Sequence, residues 1–200
     1  MLRSTARVRA DLFTPFTPRL SHPDLSQTGS RAVRRVKLDR IDRRILRDLQ
    51  DDGRMTNVEL ASRAGISAPP CLRRVRALEE AGYLRGYHAD IAPEMLGFTV
   101  TIYAQVGLTS QAETDLARFE QMVGEWPEVR ECHMLMGEAD FLLKIVARDW
   151  DAFQKFLTSR LTSAPLVSNV KTALVIRTRK RLPGVPIDEE PEGDEEQPAA

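Results

Sequence analysis

The densest chemistry in the chain lies at 68–82, APPCLRRVRALEEAG, where Arg73, Arg74 and Arg76 crowd together. A guanidinium can pair bidentately with the O6/N7 edge of guanine or hold a backbone phosphate. At about 100° per residue, a helix here turns Ala68, Cys71, Leu72, Val75, Leu78 and Gly82 to one side. Arg73 then points directly away from that side, with Arg74 and Arg76 on its flanks. A buried face opposite a cationic face suits a DNA major groove, although small helical bundles also display arginines. Asn57, Ser67, Pro69 and Pro70, at the starts of the second and third helices predicted below, are counted with the three arginines as DNA-binding candidates. A second cluster is Gly137-x-x-Asp140, preceded by Met134 and Met136 in alternation. Free amides near Gly137 could hold a carboxylate, and Asp140 could accept from an ammonium group. An aspartate at such a position also closes turns without any ligand. The methionines fit either a core or the adaptable lining of an apolar pocket.

Other chemistries find little support. Cys71 and Cys132 lie far apart, and His22, His88 and His133 are scattered, so neither a metal site nor a cofactor is expected. Cys71 reads as a small core residue and His133 as a structural one. No clustered acid/base set marks an active site, and the expectation is a non-enzyme.

These residues need elements to position them. Leu38, Ile41, Ile45, Leu46 and Leu49 recur at helical spacing, with Asp39 and Asp42 at the start and Gly53 at the stop. A second helix is predicted from Thr56 as N-cap, with Val58, Leu60, Ala61 and Ala64 as its apolar side. Gly65 makes a tight turn. Ser67 caps the third helix, whose first turn tolerates Pro69 and Pro70 because those positions need no intrahelical amide. Gly82 ends it, and 83–89 reads as a short wing or linker strand. The short turn lays the third helix across the second, as a helix-turn-helix requires. Beyond it the pattern predicts a strand at 98–106, a helix at 112–125 ended by Trp126-Pro127, and strands at 129–136 and 141–146. A helix at 150–161 follows, with Trp150, Phe153, Phe156 and Leu157 on one face, then a strand at 167–177. The order βαββαβ is the ferredoxin-like arrangement, so the fold class is α+β.

Composition divides the chain the same way. The net charge of zero hides segregation: 31–90 holds 14 Lys/Arg against 9 Asp/Glu, 91–187 balances 11 against 11, and seven acids without a base follow from Asp188. A basic segment on a neutral chain is the footprint of a nucleic-acid module. We read 1–36 as a disordered basic arm adding salt-sensitive, nonspecific DNA affinity, and 37–90 as the DNA-binding domain. The sheet domain spans 91–182, and 183–200 reads as a disordered acidic tail. The arm's arginine- and serine-rich makeup loosely mimics a transit peptide, and an overlong translation start explains it equally well. With 42% hydrophobic residues, no long apolar run and no secretory signal core, the expectation is a cytoplasmic protein without membrane contact.

The stretch LDRIDRRILRDLQDDGRMTNVELASRAGISAPPCLRRVRALEEAGYLRGYHA resembles the helix-turn-helix of the leucine-responsive/asparagine-regulator (Lrp/AsnC) family. VRECHMLMGEADFLLKIVARD is similar to that family's effector domain, whose hallmark G-x-x-D plus aromatic reads here as Gly137, Asp140 and Phe141. The resemblance covers about 36–182. It implies a transcription regulator that binds double-stranded DNA and controls amino-acid metabolism genes. It further implies a small effector such as leucine beside the G-x-x-D loop, and homodimers formed by pairing sheets and assembling to octamers. Two departures limit the transfer. The family's best-known member has an acidic residue where this chain has Arg73, so the operator sequence does not carry over. The small Ala139 reshapes the pocket, so the identity of the amino acid does not carry over either. Two rivals remain: siroheme decarboxylases share a related two-domain build, and an architectural nucleoid protein would wrap DNA with little sequence preference. Haem absorbance tests the first, and a specificity ratio against random DNA tests the second.

Overall fold

The computed structural model describes residues 37–188. The basic arm at 1–36 and the acidic stretch at 189–200 lie outside the described residues.

Three helices come first: α1 (Arg40–Asp51), α2 (Asn57–Ala64) and α3 (Ala68–Glu80). Helix α1 begins with a reciprocal cap. The Asp42 amide donates to Asp39 Oδ1 at 2.8 Å, and the Asp39 amide donates to Asp42 Oδ2 at 3.2 Å. Two orphan N–H groups are thereby satisfied where the helix dipole favours negative charge. The hydroxyl of Thr56 accepts from the Glu59 amide at 3.2 Å and starts α2. Gly65, at φ 72°, then reverses the chain in the left-handed conformation that glycine adopts without steric cost. Ile45, Leu46, Leu49, Leu60, Ala61, Ala64, Cys71 and Leu78 form the core shared by the three helices.

The apolar sides of α2 and α3 are narrower than the sequence predicts. Val58 is 71% exposed and Leu72 is 40% exposed. In α2, Leu60, Ala61 and Ala64 take the buried side, and Val58 lies about 110° round the helix from its centre. In α3, Cys71 and Leu78 are buried with Ala68 and Val75 beside them, leaving Leu72 on the flank. The segment 83–89 forms no strand. A strand needs a ladder partner for its amides, and none of the described residues provides one there.

The second part has the predicted topology. Strands β1 (Val100–Leu108), β2 (Val129–Met134), β3 (Phe141–Ala147) and β4 (Val167–Leu174) form one sheet in the order β2-β3-β1-β4, with every pairing antiparallel. Helices α4 (Glu113–Gly124) and α5 (Trp150–Phe156) cover one face, over β2 and β3 respectively. Helix α5 runs on into a wide turn, Leu157–Leu161, where the Thr162 amide reaches back five residues to the Leu157 carbonyl at 2.8 Å. Strand β3 alternates strictly, burying Phe141, Leu143, Ile145 and Ala147. Phe119 of α4 packs on Phe141 with ring centroids 4.8 Å apart, and Trp126 meets Phe156 edge-on at 5.6 Å. Trp150 stays half exposed at the start of α5. The other face of the sheet presents Tyr103, Gln105 and Lys171. Strands β2 and β4 end at Met134 and Leu174, short of 136 and 177, where their registers with β3 and β1 end.

One part of the expected tail is ordered. Residues 183–188 return to α1, where the Gln50 side-chain amide brackets Val185: Nε2 donates to the Val185 carbonyl at 2.8 Å and Oε1 accepts from its amide at 3.0 Å. Ile187 packs against the three-helix core. Gly184, at φ 61°, is needed here because a Cβ would run into the Gln50 side chain.

Candidate functional site

Helix α3 presents its arginines unequally. Arg73 and Arg76 are exposed and have no hydrogen-bond or ion-pair partner among the described residues. Arg74 is engaged within the protein. Its Nη1 donates to Asp39 Oδ2 and to Asp42 Oδ1, both at 2.7 Å, clamping α3 to the capped start of α1. Burial alone would raise the Asp39 carboxyl, but hydrogen bonds from the Asp42 amide and Arg74 outweigh it and hold Asp39 below its ordinary value. The bonds from Asp42 and Asp39 raise Arg74 in turn. Position on a helical wheel cannot reveal this difference, because the partners stand 32 and 35 residues away. The sequence grouping of Arg74 with the DNA-facing arginines therefore needs correction: its guanidinium is a brace between helices.

The other candidates at this end divide similarly. Asn57 Nδ2 donates to the Ala68 carbonyl at 2.9 Å, tying the start of α2 to the start of α3. Asn57 Oδ1 is buried without a partner among the described residues. Ser67 holds the N-cap position of α3, but its hydroxyl makes no capping bond and remains exposed. The backbone carbonyl of Ser67 accepts from the Cys71 amide at 3.2 Å, so the helix begins without help from the side chain. Pro69 is exposed and Pro70 half-buried, and together they remove two of the amides that a helix start usually offers to an anion. Tyr87, after α3, donates to Glu79 Oε1 at 2.9 Å; burial and that carboxylate raise its phenol well above the usual range.

The second candidate site is the turn joining β2 and β3. Met134 is 54% exposed and Met136 fully so, which excludes a core role for them among the described residues. Leu135 N donates to the Asp140 carbonyl at 2.8 Å and Asp140 N to the Val106 carbonyl at 3.0 Å, fixing the turn to both β2 and β1. The Asp140 carboxylate accepts from Leu108 N at 2.6 Å and from Gln111 Nε2 at 2.8 Å. Strand β1 runs two residues beyond its last pair with β3, Val106↔Phe141, and the carboxylate takes the Leu108 amide that the ladder leaves free. Asp140 thus closes the turn and positions the loop into α4. Gln111 was invisible to sequence reasoning, since no local pattern connects it to a turn 29 residues on.

Between these pins, the amides of Gly137, Glu138 and Ala139 have no hydrogen-bond partner among the described residues. Gly137 has φ 153°, a conformation that L side chains rarely adopt, and nothing lies within 4 Å of where its Cβ would be. The turn is therefore a short arc of unpaired donors with two exposed methionines and Leu135 leading into it. Nearby, the half-buried thiol of Cys132 is pushed up to about 11, chiefly by burial and further by Glu120. Cys71 is buried, and burial raises its thiol too. No three His, Cys, Asp or Glu side chains cluster for a metal among the described residues, and no described helix is long and apolar enough to cross a membrane.

Comparison with known proteins covers both parts. Residues 38–85 match the family described as winged helix-turn-helix DNA-binding, and residues 101–185 match the Lrp/AsnC ligand binding domain. The chain is 53% identical over 148 residues to the leucine-responsive regulatory protein of Rhizobium meliloti, covering 74% of this chain and 95% of that one. It is 42% identical over 143 residues to the Bkd operon transcriptional regulator of Pseudomonas aeruginosa, covering 72% and 94%. Among solved structures, a transcriptional regulator from Neisseria meningitidis in complex with L-Met superposes with a TM-score of 0.73 at 36% identity, covering 76% of this chain and 98% of that one. An AsnC family transcriptional regulator from Agrobacterium tumefaciens gives 0.70 at 33% identity, covering 74% and 97%. These relatives are regulators, and the enzyme alternative is set aside on that ground.

Proposed function

The chain belongs to the Lrp/AsnC family of DNA-binding transcription regulators, and from that premise we propose that Arg73 and Arg76 of α3 contact operator DNA while an amino acid binds at the turn 137–140. The observation that carries the first half is the contrast along α3. Two guanidiniums are exposed and unpaired opposite the buried face, and the third is clamped to α1. Ser67 and Pro69 lie at the exposed start of the same helix, where the hydroxyl reaches a phosphate and the proline ring meets the groove edge. Asn57 holds α2 and α3 in register and keeps its Oδ1 for a polar contact at their shared end.

For the effector, the unpaired amides of Gly137, Glu138 and Ala139 suit an α-carboxylate, and Met134 and Met136 suit an apolar side chain. Asp140 has both oxygens engaged, so its first role is to hold the loop 108–111 against the turn; a carboxylate oxygen retains a second lone pair for an ammonium group. That a relative was solved with L-Met supports an apolar amino acid as the class. Residues 37–90 act as the DNA-binding domain and 91–182 as the effector and assembly domain. Homodimers form through the open face of the sheet, dimers assemble to octamers, and the protein works in the cytoplasm on amino-acid metabolism genes.

The test is DNA titration at fixed salt with single variants. Arg73→Ala weakens operator binding by about 1–3 kcal/mol if the side chain reads a base, with relaxed specificity at one position. A phosphate contact instead weakens all sequences alike. If the Arg73→Ala/Arg76→Ala double variant binds as wild type does, α3 does not face the DNA. Sedimentation across an amino-acid panel tests the effector half, and an assembly indifferent to every amino acid rejects it.

A further inference from the structure

After β4 the chain enters RTRKR, residues 177–181, a segment outside any helix or strand. Arg177, Arg179 and Lys180 are exposed and have no hydrogen-bond or ion-pair partner among the described residues. Such a run is ordinarily a solvated surface. Here, however, the run is tied at two places to the helix-turn-helix part. Arg181 Nη2 meets Asp90 Oδ1 at 2.9 Å, on the segment that leaves α3. Four residues later, the Gln50 bracket holds Val185 on α1, and Ile187 packs on the three-helix core. A trans chain spans at most about 3.5 Å per residue, so Arg177 can lie no more than roughly 28 Å from the Val185 anchor.

We propose that residues 177–181 form a second contact with the DNA backbone, carried alongside the helix-turn-helix by the strap at 184–187. The inference rests on the reading that this chain binds DNA through α3, and it adds a site outside that helix. Mobile or extended cations neutralise phosphates without reading bases, so the strip supplies affinity and salt sensitivity, and α3 retains the choice of sequence. Three guanidinium or ammonium groups meeting one phosphate each contribute about 2.7 to the slope of log K against log salt for each bound chain.

The experiment uses the full chain and compares wild type with Arg177→Ala/Arg179→Ala/Lys180→Ala on operator and random duplexes between 50 and 200 mM salt. A shallower slope is expected for both duplexes, by up to about 2.7, so the affinity lost over this fourfold change in salt shrinks by up to about 40-fold. The ratio of operator to random binding stays the same. A companion Arg177→Lys/Arg179→Lys variant keeps the charges and is expected to keep the wild-type slope, which separates charge from folding. An unchanged slope in the triple variant overturns the proposal, whether the strip is bare in solution or already neutralised by the acids that follow Asp188. A changed operator-to-random ratio overturns it too, because the strip would then be reading sequence. Failure of the wild type itself to bind any duplex rejects the reading on which the inference rests, and the two failures are thereby distinguished.

Discussion

Replacing Arg74 with alanine separates the brace from the DNA contacts. The substitution removes two charge-assisted hydrogen bonds of 2.7 Å. The Asp42 side chain is 15% exposed, and that of Asp39 is 49% exposed. The Asp42 bond should count nearly in full, at about 1.5–3 kcal/mol, because its loss leaves a carboxylate mostly out of water. The Asp39 bond lies half in solvent and is discounted to about 0.5 kcal/mol. Arg74→Ala is therefore expected to destabilise the three-helix part by about 2–3.5 kcal/mol at neutral pH. The sign of the pH dependence follows from Asp39, which is held below its ordinary value. A depressed carboxyl stabilises the fold above its unfolded value and loses that contribution as the pH falls through the folded one. The Asp39 share of the gap between wild type and variant should accordingly be full at neutral pH and narrow below about pH 4. Arg74 is itself raised, so no alkaline limb appears in the working range. Amide exchange in α1 and α3, read at pH 7 and again near pH 3.5 after correction for intrinsic rates, measures the local opening free energy. The control is Arg73→Ala, an exposed unpaired residue whose loss should leave stability within about 0.5 kcal/mol while lowering DNA affinity. If Arg74→Ala opens no faster than wild type and loses DNA affinity in parallel with Arg73→Ala, the clamp argument is wrong.

Two further outcomes follow from the turn and its neighbouring strand. Asp140→Ala strands the Leu108 amide and frees Gln111, so amide protection across 108–112 should fall by about 1–3 kcal/mol and the amino-acid response should disappear; Asp140→Asn restores an acceptor for Leu108 and should recover most of the protection, and unchanged protection in the alanine variant refutes the positioning role. Cys132, with its thiol pushed up to about 11, should alkylate about 100-fold more slowly at pH 7 than an ordinary thiol near 9 and reach the normal rate in denaturant; rapid labelling of the folded protein would contradict its burial.

Periodic features were legible before any coordinates, and pairings between distant residues were not. The strand read at 141–146 forms as β3, and the tight turn read at Gly65 takes the left-handed conformation. The opposition of Arg73 to Cys71 and Leu78 follows from helical geometry alone. Val58 and Leu72 were misread because hydropathy names a side chain's preference while the width of the neighbouring helix sets how many can be covered. Arg74 was misread for another reason, and the same reason left Asp140 open between turn closure and ligand contact. Each is a charged residue in a position suited to a ligand, and each finds its partner within the chain, across 32 or 35 residues for Arg74 and across 29 or 32 for Asp140. The strap was hidden by composition: LPGVPID reads as the start of a polar tail, and only the Gln50 bracket and the packing of Ile187 reveal that it returns to α1.

The same distinction resolves how a chain of zero net charge can serve an anionic partner. Counting charges assigns the helix-turn-helix a modest basic excess, yet the count treats every guanidinium alike. The acids of α1 are occupied: Asp39 and Asp42 cap the helix and neutralise Arg74 at the same time. Arg63 pairs with Glu59 one turn away on α2. Among the described residues, the exposed cations left without a partner include Arg73 and Arg76 on α3 and Arg177, Arg179 and Lys180 beside the strap. Because a charge already paired within the protein releases few counterions on binding, the salt slope should report these unpaired groups and not the total. The useful field of this protein is therefore set by which carboxylates the fold draws inward to caps and braces, and a double substitution that frees Arg74 by replacing both Asp39 and Asp42 should increase the salt slope without adding a single positive residue.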